Sequence, residues 1–307
     1  MNPYLDVRDE IAIALGRGGP VVALESTVIS HGLPRPQNLE TARRIEAAVR
    51  EEGATPATIG LLSGRLVVGL SAQEIELLAN ADQIHKLSRR DLASVLQSGK
   101  PGATTVAASI WVASQAGISV FATGGIGGVH RGVGETFDVS ADLGELARTP
   151  VAAVCAGAKI ILDLPRTLEL LETLGVPVVG YQTSDFPAFY ARESGLVLDS
   201  RVNSPHEAAR LMRIQWDLKL ASGIVFCNPP PESSALAHEQ LESLIEAALT
   251  DAEKSGIRGK AVTPFLLAHL SKASGGATLK ANIELLVSNA RVAAQIAIAH
   301  AELRRST

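Results

Sequence analysis

Few side-chain types can act as a covalent nucleophile at neutral pH, and a lysine amine is one of them. In "VAAVCAGAKIILDLPRT", residues 151 to 167, Lys159 stands in a run that is apolar or small until Asp163. Burial disfavours the ammonium form and would make Lys159 a usable nucleophile. The alternative keeps Lys159 at a strand end with its head in water. A carboxylate with similar potential closes another apolar run. Glu25 follows "VVAL" at the end of an expected strand, where ligands collect in α/β proteins and where burial would suit it to proton transfer. It could equally be a carboxylate satisfied by neighbouring backbone N–H groups. His31, six residues later, reads on its own as structural.

Two further clusters suit an anionic ligand. "HKLSRRDL", residues 85 to 92, brings Lys86, Arg89 and Arg90 together, fitting either a phosphate site or a solvated face. "FATGGIGGVHRGVGETFDVSADL", residues 121 to 143, places six glycines between Gly124 and Gly134 directly after an expected strand. Such a loop could present backbone N–H groups to an anion, although it matches neither the dinucleotide fingerprint nor the Walker pattern. It also carries His130, Arg131, Asp138 and Asp142. The two aspartates are hard oxygen ligands of the kind Mg²⁺ or Mn²⁺ takes, unless one of them caps a helix. On the C-terminal helix, Asn282 and Asn289 lie two turns apart on one face, which requires a ligand or an inter-element bond for amides set among leucines.

These groups need a scaffold, and the rest of the chain supplies one. Expected strands cover 20–27, 57–62, 65–70, 84–88, 118–125, 151–157, 176–183 and 223–229. Several are continuous apolar runs, as in strands covered on both faces. Helical segments alternate with them. Ser71 with Glu74, and Ser204 with Glu207, read as capping boxes. Leu39, Ala42, Ile45 and Val49 form one apolar stripe, residues 278–303 read as one long helix, and Thr263-Pro264-Phe265 opens another whose N-terminus suits an anion. The fold expected is a layered α/β/α protein with a mostly parallel, partly mixed sheet, the 57–62 and 65–70 runs forming an antiparallel hairpin. Residues 1–307 are expected to form a single catalytic domain, with 1–19 as an N-terminal extension and a possible subdomain edge at the proline-rich 228–234.

Bulk properties narrow the function. Of the 307 residues, 46 % are hydrophobic and 20 % charged, so the chain has the composition of a folded globular protein. A net charge of −4 gives no electrostatic reason to expect nucleic acid. The stretch "ATTVAASIWVASQAGISVFATGG" is interrupted by Gln115, Gly117 and several hydroxyls, so it is expected to be a buried helix and strand rather than a membrane span. Two cysteines, Cys155 and Cys227, and the lack of a secretory h-region point to a cytoplasmic location and exclude a disulfide framework.

Taken together, "VVALESTVISHGLPRPQN", "KLSRRDL", "GATTVA", "VFATGGIGGVHRG", "FDVSADL", "VCAGAKIILD", "GYQT", "TPFLL" and "LKANIELLVSNA" resemble the pseudouridine-5′-phosphate glycosidase, or indigoidine synthase A-like, family, from about Pro20 to about Ala299. The resemblance implies reversible cleavage of pseudouridine 5′-phosphate to uracil and ribose 5-phosphate, a divalent ion, typically Mn²⁺, and a homotrimer. By motif position it implies Lys159 as the covalent nucleophile and Glu25 as the proton donor. Asp138 matches the metal ligand. Lys86, Val106, Ser140, Ala141 and Asp142 match substrate-contacting positions, and Thr123, His130 and Asn282 match further pocket residues. Ile160 departs from the small polar residue common in relatives, and 184–200 is poorly matched. The competing expectation is another Schiff-base-forming lyase of sugar phosphates, which would share the lysine and the phosphate site but release no uracil.

Overall fold

A computed structural model describes residues 2–257 and 262–305. Its sheet is built from β1 (Leu5–Val7), β2 (Val21–Leu24), β3 (Thr55–Leu62), β4 (Arg65–Val68), β5 (His85–Leu87), β6 (Gly102–Thr104), β7 (Val120–Ala122), β8 (Ala152–Cys155), β9 (Val178–Tyr181), β10 (Ser200–Val202) and β11 (Ile224–Cys227). The order across it is β1-β4-β3-β2-β7-β8-β11-β9-β10, with β6 also on β3 and β5 on β6. Every pairing is parallel except β3 with β4 and β3 with β6. The mixed α/β sheet and its hairpin are therefore as the sequence leads one to expect. Strands β1, β6 and β10 are additional. Each has three residues, too short for alternation to register. Because β1 pairs with β4, residues 5–7 are part of the sheet rather than an appendage to it.

Every residue of β2, β7, β8 and β11 is buried. Successive side chains on a strand point to opposite faces, so both faces of this central part are covered. The long helix Ala277–Arg305 packs on β2, β7 and β8, and Val106–Ala116 packs on β2, β3 and β7. Small side chains make the first approach close: Ala152 and Ala153 lie in β8, while Ala281, Ala290, Ala293 and Ala294 are fully buried on the helix. Val106–Ala116 followed by β7 accounts for the apolar stretch that might have read as a membrane span. Among the described residues no helix is long and apolar enough to cross a membrane.

Local signals fix the helix starts. Ser71 accepts from the Glu74 N–H at 3.3 Å and the Glu74 carboxylate accepts from the Ser71 N–H at 2.8 Å. Such caps contribute about 1 kcal/mol. Ser204 caps in the same way, but Glu207 reaches one residue further back, to the Asn203 N–H at 2.8 Å. Asn38 lies inside the Gln37–Glu51 helix and spans outward, donating to the Ile29 and Ala79 carbonyls, both at 2.9 Å. The proline-rich 228–234 stretch is tied to the core, the Asn228 amide donating to Asn289 at 2.9 Å. Cys155 and Cys227 are buried, free and opposite one another on β8 and β11.

Candidate active site

Three adjacent parallel strands set the site. In β2, β7 and β8 the pairs Leu24–Ala122 and Ala122–Val154 are in register, so the chain leaves all three at one level. Glu25 is the first residue beyond β2 and Thr123 the first beyond β7, and the Thr123 hydroxyl donates to the Glu25 carboxylate. Beyond β8 the chain turns through Gly157 at φ +76°, where an added Cβ would lie 2.1 Å from the Pro187 carbonyl oxygen. That turn presents Lys159. Its N–H donates to the Ile126 carbonyl at 3.1 Å and its carbonyl accepts from Leu162 at 3.0 Å. Ala158, Ile160 and Ile161 beside it are buried. Ile160 therefore belongs to the core, away from the cavity that Lys159 enters.

This cavity has a volume of about 300 Å³, at the lower end of the range for small-molecule sites. Glu25, Thr123 and Lys159 line it together with Lys86, Val106 and His130, and so do Asp138, Ser140, Ala141, Asp142 and Asn282. All the site residues expected from the sequence thus meet in one place. Lys159 goes into the cavity rather than to the outer surface. Desolvation pushes the Glu25 carboxyl above the usual carboxylate range, with the Lys159 charge and the Thr123 hydrogen bond pulling the other way. Burial holds His130 below the ordinary histidine range against the pull of Asp138.

The charged clusters sort themselves differently from their spacing. Arg89 turns away, donating to the fully buried Glu145 carboxylate at 2.7 Å and lying 5.7 Å over the Trp111 ring. Glu145 also accepts from Arg148 at 3.0 Å and from Thr149 at 2.6 Å. Of the basic trio, Lys86 and Arg90 line the cavity. Arg131 leaves as well, bonding Glu242 at 2.9 and 3.0 Å and so tying the glycine-rich loop to the His238–Lys254 helix.

The two aspartates also separate. Asp142 is buried, and its oxygens accept from the Ala107 N–H at 2.9 Å and the Gly127 N–H at 2.8 Å. It clamps the first turn of Val106–Ala116 to the glycine loop. Gly127 is required by this contact, since a Cβ there would stand 2.2 Å from the Ser140 hydroxyl. The loop is thus packed against the protein's own groups rather than left as an open anion nest. Among the described residues, no hydrogen bond or ion pair occupies the Asp138 carboxylate, and no three ligand-type side chains cluster for a metal. One carboxylate in a polar cavity fits a hard cation that keeps most of its waters, as Mg²⁺ and Mn²⁺ do, and not a fully protein-ligated ion.

Asn282 and Asn289 divide similarly. Asn282 faces the cavity, whereas Asn289 is fully buried and donates to the Thr123 and Gly124 carbonyls at 2.8 and 3.3 Å, holding the turn beside Glu25. Thr263 and Pro264 also line the cavity, while the approach to their helix lies outside the described residues.

Thr27, His31, Ser88 and Phe189 also line the cavity and are not among the residues expected from the sequence. Phe189 comes from the poorly matched 184–200 stretch. It is buried, adopts φ +59°, donates its N–H to the Ala156 carbonyl at 3.0 Å and packs against Gly124 and Gly125. Nothing local marks it, because its partners are distant in the chain. His31 could have been found by its position one turn past Glu25.

Comparison with known proteins identifies the family. The chain is 56 % identical over 298 residues to a pseudouridine-5′-phosphate glycosidase of Caldanaerobacter subterraneus subsp. tengcongensis, covering 97 % of each chain. It is 53 % identical to the protein of that name from Hahella chejuensis, covering 98 % of this chain and 99 % of that one. Among solved structures it superposes on the prealnumycin C-glycosynthase AlnA in complex with ribulose 5-phosphate, with TM-score 0.92, 43 % identity and full coverage of both chains. An indigoidine synthase A-like protein from Thermotoga maritima superposes with TM-score 0.88 and 38 % identity, over 96 % of this chain and 95 % of that one. The family model described as indigoidine synthase A like protein matches residues 10–299, and with these relatives it shows that the chain belongs to that family.

Proposed function

We propose that this chain is a pseudouridine-5′-phosphate glycosidase, an enzyme that interconverts pseudouridine 5′-phosphate and water with uracil and ribose 5-phosphate. One observation carries the reading: a desolvated carboxyl, Glu25, and a lysine, Lys159, line one cavity beyond the ends of β2 and β8, two parallel strands that flank β7. The full-length relatives bearing that name support it.

The base is held by a carbon–carbon bond from C1′ to C5, so it cannot leave through a nitrogen. Glu25 in its acid form donates a proton to the furanose ring oxygen as the C1′–O4′ bond opens, leaving C1′ electron-poor and conjugated with the base. The Lys159 amine adds to C1′ through its nitrogen lone pair and gives up its extra proton to Glu25. Glu25 then protonates C5, the C1′–C5 bond breaks, and the nitrogen lone pair forms the imine as uracil departs. Water hydrolyses the imine to ribose 5-phosphate and restores the amine. A nitrogen lone pair positioned on C1′ is what makes a carbon leaving group possible. A proton carrier must be protonated in one step and ionised in the next, which the opposed influences on Glu25 favour.

Lys86 and Arg90, which line the cavity, would receive the phosphate, together with Ser140 and Ala141 at the start of the Ala141–Leu146 helix. Asp138 would hold a divalent ion, Mn²⁺ or Mg²⁺, and when bound this ion supplies positive charge to the phosphate and orders the waters around it. A homotrimer, which the family resemblance implies, and a cytoplasmic location, which two free cysteines suit, complete the proposal.

Borohydride reduction in the presence of ribose 5-phosphate tests the reading directly. The expected intact mass gains one reduced pentose phosphate, and Lys159→Ala abolishes the gain. An equally labelled Lys159→Ala protein removes this lysine from the mechanism. The likeness to a C-glycosynthase favours a second reading, in which the nucleophile joins a sugar phosphate to another aromatic carbon acid. Release of free uracil from pseudouridine 5′-phosphate decides between the two.

A further inference from the structure

Among the described residues, three buried side-chain polar atoms have no hydrogen-bond partner, and two of these, Thr27 Oγ1 and His31 Nε2, belong to residues that line the cavity. An unsatisfied buried polar atom costs about 1–3 kcal/mol. Two such atoms on the short segment that follows Glu25 point to a partner that arrives with the ligand.

The turn itself is rigid. Residues Val28–Gly32 form one wide, π-type turn, a local geometry often found at functional sites. It is pinned from outside by Ser30, which donates to the Leu78 carbonyl at 2.9 Å, and by Asn38, which donates to the Ile29 carbonyl at 2.9 Å. Just before it, Ser26 donates to the Ile59 carbonyl at 2.6 Å. Thr27 precedes the turn yet makes no capping bond to it. Neither of the two unpartnered atoms is therefore spent on the fold.

The chemistry of His31 selects its partner. Burial and the neighbouring Lys86 charge push the ring below the ordinary histidine range, with the Ile84 backbone pulling the other way. A neutral ring with its proton on Nδ1 offers the unpartnered Nε2 as a bare acceptor. An acceptor cannot bond a phosphate dianion. It needs an N–H or O–H, and two features favour the base over the sugar. In the proposed mechanism the base carbon must lie against Glu25, on whose strand exit this turn sits. Val28 and Leu286, which also line a small apolar recess behind Glu25, suit a flat ring better than hydroxyls.

We propose that His31 Nε2, seconded by the Thr27 hydroxyl, accepts a hydrogen bond from a ring N–H of the pyrimidine and so positions the base. A C-linked uracil keeps both of its ring N–H groups, N1–H and N3–H, and either can be the donor. The inference rests on the function proposed above and assigns the base end of the same cavity.

The test compares kcat/KM for pseudouridine 5′-phosphate with that for its N1-methyl and N3-methyl analogues. The wild-type chain is expected to reject one analogue by roughly 10²-fold or more, because a site built around a hydrogen bond discriminates strongly against its loss. His31→Leu should lower kcat/KM for the parent and bring that ratio close to one, and His31→Gln, whose amide oxygen can accept, should restore part of it. Ribose 5-phosphate has no base, so its borohydride-trapped adduct should form in His31→Leu as in the wild type, which a general collapse of the site would prevent. Should His31→Leu not fold, the isosteric Thr27→Val carries the same comparison. An unchanged ratio in the variants, or a wild type indifferent to both methyl groups, overturns the assignment. A wild type that releases no uracil from the parent defeats the proposed function itself and this inference with it.

Discussion

The Thr123 hydroxyl donates to the Glu25 carboxylate across two neighbouring strands, joining residues 98 positions apart in the chain. Both follow the last residue of their strand, so the bond exists because β2 and β7 end in register. Asn289 fixes the Thr123 carbonyl from the opposite side. The carboxyl is thereby aimed by the sheet.

Thr123→Val removes a donor that favours the charged carboxylate. Its loss raises the Glu25 pKa, since the bond now pulls it down against the larger effect of desolvation. The limb of the pH–rate profile that reports Glu25 ionisation is expected to move to higher pH, read from kcat/KM across a pH series. A limb that stays in place shows that another group governs it.

Glu25→Gln keeps the size and the hydrogen bond to Thr123 but carries no transferable proton. Turnover is expected to fall by roughly 10²-fold or more, the usual contribution of a general acid–base group, with little change in substrate affinity. Steady-state and single-turnover rates check this, and an unchanged rate makes Glu25 structural.

The two adjacent arginines should behave oppositely. Arg89→Met leaves the buried Glu145 carboxylate short of a partner, although Arg148 and Thr149 remain, so unfolding free energy is expected to drop by about 1–3 kcal/mol. Arg90→Met should leave stability alone and raise KM by roughly tenfold, the worth of one charge-assisted bond of about 1.5 kcal/mol. Urea denaturation and steady-state kinetics on the two variants separate these roles, and a reversed pattern refutes the assignment.

Chelation of divalent ions, and Asp138→Asn in their presence, should lower activity in the same way, with Mn²⁺ restoring the chelated wild type and not the variant. Because no three ligand-type side chains converge at Asp138 among the described residues, removal of the ion should leave the melting temperature nearly unchanged. A large fall in melting temperature on chelation would show a structural ion.

Much of this was legible in the chain itself. A single lysine in an apolar run, a glutamate closing a strand, the serine caps and the alternating runs are local patterns, and hydrophobic period and capping act over a few residues. The central strands and the Ala277–Arg305 helix follow from them, and so does the meeting of Glu25 and Lys159, since parallel strands end on one side. What spacing could not reveal was the choice of partner by each charge. Arg89 and Arg90 are neighbours, yet one reaches Glu145, 56 residues away, while the other lines the cavity. Asp138 and Asp142 part in the same manner, Asp142 clamping backbone N–H groups while Asp138 lines the cavity. Phe189 and the orphaned acceptor of His31 are likewise properties of the packed molecule. A charge or a ring is committed by whatever lies within a few ångströms of it, and only the folded chain brings distant residues to that range.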